Sequence, residues 1–243
     1  MLKVAAEHKI KTETGEISEI FSSIQGEGLC VGEKHLFVRF RSCNIACDFC
    51  DEYDKIIYKD MSVSEVVDSL RLMDRDSGPH EYVSLTGGEP LVYVGFLKNL
   101  MPELKRHGFR TYLETNGILP SALREIVSCC DRIAMDIKLP SVTKEKSFFT
   151  EHEEFLKIAI QKPTFVKIVL SKDVLIPEFL TAVNLIARVN PDIPLILQPK
   201  TDLKDKTLEP GIGEVLSSLV STARRELKQV RMIPQTHKWL NIQ

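Results

Sequence analysis

Long apolar runs, an excess of one charge sign and internal repetition are all missing from this chain of 243 residues. No window approaches the roughly 18 to 20 uninterrupted apolar residues that a membrane span needs. Residues 1–15 lack the apolar centre of a signal peptide, so a cytoplasmic location without a membrane is expected. Lys and Arg number 32 against 34 Asp and Glu, a formal net charge of −2. That balance offers no basic field to grip a phosphate backbone, which argues against nucleic acid as a direct partner and favours a small-molecule substrate. No fixed-period repeat and no low-complexity tract occurs, so neither a solenoid nor a disordered polar chain is indicated. What is present is ordinary for a soluble globular protein, with 43% hydrophobic and 27% charged residues. The length suits one large core, and a single domain over residues 1–243 is expected.

Apolar patterning alternates between two periods along the chain. Runs rich in β-branched and aromatic residues predict strands at 35–40, 82–85, 110–114, 132–137, 164–170 and 194–197. Between them, helical spacing predicts helices at 62–73, 96–107, 121–129, 151–161, 176–189 and 213–227. Ser62 is the expected N-cap of the first helix, with Glu65 three residues on completing a capping box. The stretch up to Ser18 carries no clear period, residues 25–28 read as a glycine-punctuated turn, and residues 141–153 read as a polar loop. About six strand–helix units imply right-handed crossovers and an α/β fold built on a parallel sheet. In such sheets chemistry gathers beyond the carboxyl ends of the strands. The polar groups at 43–50, 86–89, 114–116, 136–138 and Gln198 all fall there, where the mouth of a barrel could collect them.

Six cysteines are few, and without an export signal disulfides are not expected, but Cys43, Cys47 and Cys50 crowd into eight residues. The spacing C-x3-C-x2-C lets a short loop give one thiolate to each of three irons of a cubane, leaving the fourth iron open. An open metal position is what separates catalytic from closed structural sites. Two other readings remain: a zinc ion held by three cysteines and a distant histidine, or thiols that merely pack. Cys30, Cys129 and Cys130 form no second C-x2-C pair and read as ordinary buried thiols.

The loop, with Phe49 just before its last cysteine, resembles the signature of the radical S-adenosylmethionine (SAM) superfamily. Thr86, Gly87, Gly88, Glu89 and Pro90 resemble the Gly-Gly-Glu motif that receives the amino group of SAM in that superfamily. Residues 19–28, the Phe37, Val38, Arg39, Phe40 run, and Asp51 after the cysteines are similar to the 7-carboxy-7-deazaguanine synthase family. So are residues 114–117, 136–138, 198–199 and 235–243. The resemblance implies a partial, open β/α barrel, a [4Fe–4S] cluster on Cys43, Cys47 and Cys50, and SAM as second cofactor. It also implies a pterin substrate, an electron donor such as flavodoxin or ferredoxin, and a homodimer. In that pattern residues 1–35 form a substrate-binding extension and residues 228–243 a closing segment.

Carried over residue by residue, the family pattern puts substrate against Ile24, Gln25 and Gly26, with Glu27, Arg39 and Thr86 nearby and with His237 and the carboxylate of Gln243 closing over it. A carboxylate such as Glu27 suits a pterin's donor edge, and a guanidinium such as Arg39 suits its carboxylate. SAM would meet Phe49, Cys50, Asp51, Gly88 and Glu89, then Asp136, Ile137 and Lys138, then Gln198, Pro199 and Lys200. One position departs from the family, which commonly carries a Thr that contacts Mg²⁺ after the Cys-Asp pair. Here Glu52 stands there, a hard-oxygen donor but longer and charged, so it is the candidate Mg²⁺ ligand and magnesium dependence stays open. The implied chemistry is one-electron cleavage of SAM and abstraction of a hydrogen from C6 of 6-carboxy-5,6,7,8-tetrahydropterin by a 5′-deoxyadenosyl radical. Ring contraction to 7-carboxy-7-deazaguanine with loss of ammonia follows. A glycyl-radical-enzyme activase, or a metal-binding module without catalysis, are the rival readings.

Overall fold

The apolar runs become neighbouring strands of one sheet in the computed structural model, which describes residues 13–50, 57–202, 207–240 and 242. In chain order the strands are β1 (Thr14–Ile24), β2 (Lys34–Phe40), β3 (Lys59–Ser62), β4 (Tyr82–Gly87), β5 (Thr111–Thr115), β6 (Arg132–Asp136), β7 (Thr164–Leu170), β8 (Leu195–Pro199) and β9 (Val230–Met232). Their lateral order is β3-β1-β2-β4-β5-β6-β7-β8-β9, so the sheet is open, with β3 and β9 at its edges. From β2 to β9 every neighbouring pair is parallel, whereas β1 runs antiparallel to both β2 and β3. Parallel neighbours need crossovers. Helices α1 (Val63–Ser77), α2 (Val94–Arg106), α3 (Pro120–Ile126), α4 (Pro140–Thr143), α5 (Phe149–Ala159), α6 (Ile176–Val189) and α7 (Ile212–Ala223) supply them, and α8 (Thr236–Leu240) ends the described chain. The expected α/β architecture of about six strand–helix units is what forms.

Local chemistry accounts for the helix starts. Ser62 caps α1 in a full capping box, its hydroxyl accepting from Glu65 N while the Glu65 carboxylate accepts from Ser62 N. Proline at the first turn of α3, α4 and α6 sets a helical φ where the missing N–H has no partner to lose. Five elements, β1, β3, β9, α4 and α8, were not anticipated. Strand β1 takes in the stretch that lacked a period: a register irregularity between Ile17 and Glu19 breaks its alternation. The strand β3 is four polar-flanked residues recognisable only through pairing with β1, and β9 is three residues long. Within the expected loop at 141–153, α4 forms and α5 starts at Phe149.

Side chains alternate across the sheet, and this sorts the core from the cavity. Leu85, Leu113, Met135, Val166, Ile168 and Leu197 face the helices, which return Phe96, Leu100, Leu156, Phe179 and Ile186 to one contiguous apolar cluster. On the concave face, Tyr82, Tyr112, Ala134, Phe165 and Ile196 form a second, smaller cluster with Cys30. These are one residue from each of five successive strands, and together they make an apolar floor. Two positions further along β5 to β8 come Glu114, Asp136, Lys167 and Gln198, with Thr86 at the end of β4, so a polar tier stands directly above that floor.

Candidate active site

Parallel pairing of β2 with β4 places Arg39 opposite Thr86 and Phe40 opposite Gly87, so both strands end together. The chain leaving β2 is then held against the glycine turn, with Gly88 N donating to Phe40 O and Glu89 N to Ser42 O, each at 2.8 Å. A Cβ at Gly88 would lie 2.2 Å from Ser42 O, and Gly87 also has a φ of 111°, a left-handed conformation that favours glycine. Gly88→Ala is therefore expected to push the cysteine loop off the sheet and lower the iron retained after reconstitution by several-fold, measured as iron per chain.

Asp48 N donates to Thr143 O at 3.0 Å, and Ala46 N to Glu145 Oε1 at 2.9 Å. Asn116 Nδ2 reaches Asn44 Oδ1 at 2.8 Å. These contacts hold a loop whose Cys43, Cys47 and Cys50 all border one cavity of about 250 Å³. Among the described residues, only Cys30, Glu33 and His35 bring three ligand atoms within 4.8 Å of one another. The loop thiols are not already gathered at the spacing under about 4 Å that a tetrahedral zinc with bonds of ~2.3 Å imposes. Their C-x3-C-x2-C spacing offers one thiolate to each of three irons of a cubane. The Cys30 group is no metal centre, because the Arg132 guanidinium already stands 2.7 Å from Cys30 Sγ. Burial pushes that thiol up to about 11, and His35 is tied through Nδ1 to Ser84 Oγ at 2.8 Å.

Opposite the cysteine loop, the polar tier forms a row of alternating charge. Lys138 Nζ donates to Asp136 Oδ2 at 2.7 Å, Lys167 Nζ lies 3.4 Å from Asp136 Oδ1 and also donates to Glu27 Oε2, and Gln235 Nε2 donates to Glu27 Oε1 at 2.6 Å. Burial alone would raise Glu27, but the Lys167 ammonium and the bonds from Lys167 and Gln235 bring it down to about 2. Lys167 is depressed by burial and raised more strongly by Asp136, Glu27 and Glu114, so it stays charged. Glu114 accepts from Gln25 Nε2 at 2.9 Å and Thr86 Oγ1 at 3.0 Å, and burial, then the Glu27 charge, lift it above the usual carboxylate range. The Phe49 ring lies between two cations, Lys138 Nζ at 5.9 Å and Lys200 Nζ at 5.8 Å from its centroid.

Most residues singled out from the sequence border this one cavity. Ile24, Gln25, Gly26, Glu27 and His237 lie at one end; Arg39, Thr86 and Gly88 line the β2–β4 side; Phe49, Asp136, Lys138, Gln198 and Lys200 line the rest with the three cysteines. His237 sits on Gly26, where a Cβ would come within 2.2 Å of Nδ1, and Thr236 N donates to Gly26 O at 3.0 Å.

Three residues singled out from the sequence, Glu89, Ile137 and Pro199, do not border the cavity. Glu89 is fully buried and does not reach the cavity: its carboxylate accepts from Leu91 N, Thr115 Oγ1 and Asn116 N at 3.0, 2.9 and 2.7 Å. Those bonds tie the turn after β4 to the end of β5. Ile137 and Pro199 are turned away as well, because each sits between two cavity-lining neighbours and alternation sends it to the other face. Asp51, Glu52 and Gln243 lie outside the described residues. Lys167 was missed although a lone lysine in the apolar run of β7 was its signal; Glu114, which carried part of the family resemblance but no assigned role, and Tyr112 also border the cavity.

An open sheet of parallel strands with a three-thiol loop at its carboxyl-end mouth is the architecture of radical SAM enzymes, and the Radical SAM superfamily matches residues 37–167. QueE from Escherichia coli shares the fold with a TM-score of 0.58 at 18% identity, over 90% of this chain and 93% of that one. A radical SAM methyltransferase from Sphaerobacter thermophilus does so with a TM-score of 0.61 at 12% identity, over 83% and 66%. In sequence, 7-carboxy-7-deazaguanine synthase of Geobacter sulfurreducens is 38% identical over 93% of this chain and 96% of its own length. That of Methanopyrus kandleri is 32% identical over 91% and 92%. The chain belongs to the 7-carboxy-7-deazaguanine synthase family, a family of enzymes that use a [4Fe–4S] cluster and SAM on a small-molecule substrate.

Proposed function

We propose that the protein contracts the ring of 6-carboxy-5,6,7,8-tetrahydropterin to 7-carboxy-7-deazaguanine with release of ammonia, a step in 7-deazapurine biosynthesis. The observation that carries this reading is the polarity of the cavity. A guanidinium, Arg39, and the half-buried carboxylates Glu27 and Glu114 border it together with the three-thiol loop. A carboxypterin needs a cation for its carboxylate and acceptors for its N–H edge, and the radical chemistry needs the reacting carbon close to the cluster loop.

Cys43, Cys47 and Cys50 would hold the cluster, and SAM would lie over Phe49, Cys50, Asp51 and Gly88, reaching Asp136, Lys138, Gln198 and Lys200. Bound together, cluster and SAM supply the hydrogen abstraction that starts the reaction. The chain's own residues orient and exclude. Glu27, ionised through Lys167 and Gln235, accepts from the pterin edge with Gln25 and the backbone at Ile24 and Gly26 beside it. Arg39 fixes the substrate carboxylate, and its guanidinium lies 5.2 Å from the Phe21 ring centroid and 3.5 Å from Glu19 Oε2, which limits its swing. His237, seated on Gly26, and the segment 228–243 close the cavity against water, while residues 1–35 serve as the substrate-binding extension. Glu52 is offered as an oxygen ligand for Mg²⁺.

We further place the enzyme in the cytoplasm, as a homodimer reduced by a flavodoxin or ferredoxin. Unpaired loop thiols suit a reducing compartment. Met232 on the edge strand β9 and Trp239 and Leu240 on α8 are exposed apolar side chains, which supports the reading of a dimer. No helix among the described residues is long and apolar enough to cross a membrane.

The direct test incubates anaerobically reconstituted, reduced protein with SAM and the carboxypterin, and follows 5′-deoxyadenosine and deazapurine by mass spectrometry. Deoxyadenosine without deazapurine would reject the substrate while keeping the chemistry. Arg39→Ala should raise the pterin KM by about two orders of magnitude, ~2–3 kcal/mol for a lost charge-assisted pair, with cluster absorbance intact. Loss of the cluster instead would show Arg39 to be structural.

A further inference from the structure

Lys167 belongs to none of the motifs that identify the family, yet it stands at the centre of the charged tier. It projects from β7 between Asp136 at the end of β6 and Glu27 in the turn after β1, and is largely buried with them. Its ammonium donates to Glu27 Oε2 on the substrate side and faces Asp136 Oδ1 at 3.4 Å on the SAM side. Asp136 has a second cation, Lys138, at 2.7 Å on its other oxygen. Glu27 has no lysine or arginine but Lys167 among its ion pairs in the described residues. The remaining groups facing Glu27 are Gln235 and His237 from the C-terminal segment and, from β5, Glu114 and Tyr112.

We propose that Lys167 is a positioning residue that keeps Glu27 an ionised acceptor aimed at the pterin N–H edge, while contributing less to SAM because Lys138 backs Asp136. The inference rests on the reading of Glu27 as a substrate ligand. Its physics is a competition. Burial and the neighbouring Glu114 both favour protonating Glu27, and a protonated Glu27 would present a donor to the donor edge of the substrate. Lys167 tips that competition by sitting within hydrogen-bond reach, with Gln235 as a neutral helper and His237 as a weaker cation.

With Lys167 in place Glu27 is held at about 2, so pterin affinity is independent of its titration at working pH. Replacing Lys167 by an uncharged side chain lets burial raise Glu27, and affinity then grows with pH as the carboxylate is recovered.

The test titrates holoenzyme containing SAM with 6-carboxypterin between about pH 5.5 and 8.5, using wild type, Lys167→Met, Lys167→Arg and Glu27→Gln. Dividing each variant's Kd by the wild-type value at the same pH cancels the ligand's own ionisation. For Lys167→Met the ratio is expected to fall about tenfold or more from the acid to the basic end, with SAM affinity changed under about threefold and cluster absorbance retained. Lys167→Arg should restore a flat ratio. A Lys167→Met ratio that is the same at every pH, whether large or near one, overturns the inference if Glu27→Gln weakens binding. Wild-type affinity in Glu27→Gln would overturn the underlying reading of Glu27, and the inference with it. If Lys167→Met fails to hold the cluster, Lys167→Arg decides: a pH-dependent ratio in that variant, which keeps the charge, contradicts the proposal.

Discussion

Serine at any one of positions 43, 47 or 50 is expected to leave a folded chain without its cluster and without detectable 5′-deoxyadenosine. The three thiols provide all the protein ligation that this loop offers a cubane, and a serine hydroxyl neither ionises at neutral pH nor matches thiolate affinity for iron. Stability should barely respond. The loop is positioned by backbone groups, Asp48 N on Thr143 O and Cys50 N on Cys47 O, that the substitution leaves in place. The cysteine side chains themselves are exposed or half-buried, so a change under about 1 kcal/mol is expected. Cys130→Ser should behave in the opposite way. That thiol is fully buried in the apolar cluster, with the Ile126 carbonyl 3.7 Å away, and burial pushes it up to about 12. A hydroxyl there costs about 1–3 kcal/mol while iron per chain stays at the wild-type value. Iron and sulfide analysis beside a thermal melt separates the two cases, and a cluster retained in Cys47→Ser would contradict the proposed ligation.

The same contrast explains which parts of the molecule could be read in advance. The inner strands are apolar on their helix-facing side and bounded by turns, so β7 runs over residues 164–170 as the pattern predicts and α6 over 176–189. Local chemistry was enough in those places. It was not enough for β3, whose four residues are strand only because β1 lies beside them, or for β1 itself, whose alternation breaks at its register irregularity. The site divides along a similar line. Cysteine spacing and the paired glycines are local signals, and the cavity brings them together. Lys167 and Glu27 are 140 positions apart in the chain. Their pairing depends on β7 reaching the same tier as the turn after β1, which no periodicity encodes. Ile137 lies in the apolar core and Pro199 outside the cavity lining, although the residues on either side of each border it, and a contiguous motif carries no signal for that difference.

Glu89→Ala is the second change expected to have a large effect, and it would act through structure. Three donors converge on this buried carboxylate, two of them backbone N–H groups of Leu91 and Asn116 and the third the Thr115 hydroxyl. Alanine leaves all three without that acceptor in a site closed to water, so a loss of roughly 3–5 kcal/mol is expected. Glutamine keeps one oxygen but turns an amide N–H₂ towards a donor, for roughly 1–3 kcal/mol. The damage should spread to the cluster, because Asn116, positioned by Glu89, holds Asn44 in the cysteine loop at 2.8 Å. A pH signature distinguishes the carboxyl from a mere packing group. Burial raises Glu89 to about 7, against the opposing pull of its hydrogen bonds, from 4.5 in the unfolded chain. The folded state therefore holds a proton that the unfolded state has released between those values. The contribution of Glu89 is fully present below the lower value and declines as pH rises to the upper one, by about 3 kcal/mol in all. Glu89→Gln cannot titrate, so the stability difference between wild type and Glu89→Gln should shift against wild type as pH rises through that interval. Urea unfolding followed by circular dichroism at several pH values would measure it, and a difference that stays constant would show that the Glu89 carboxyl titrates at the same pH in the folded and unfolded chain.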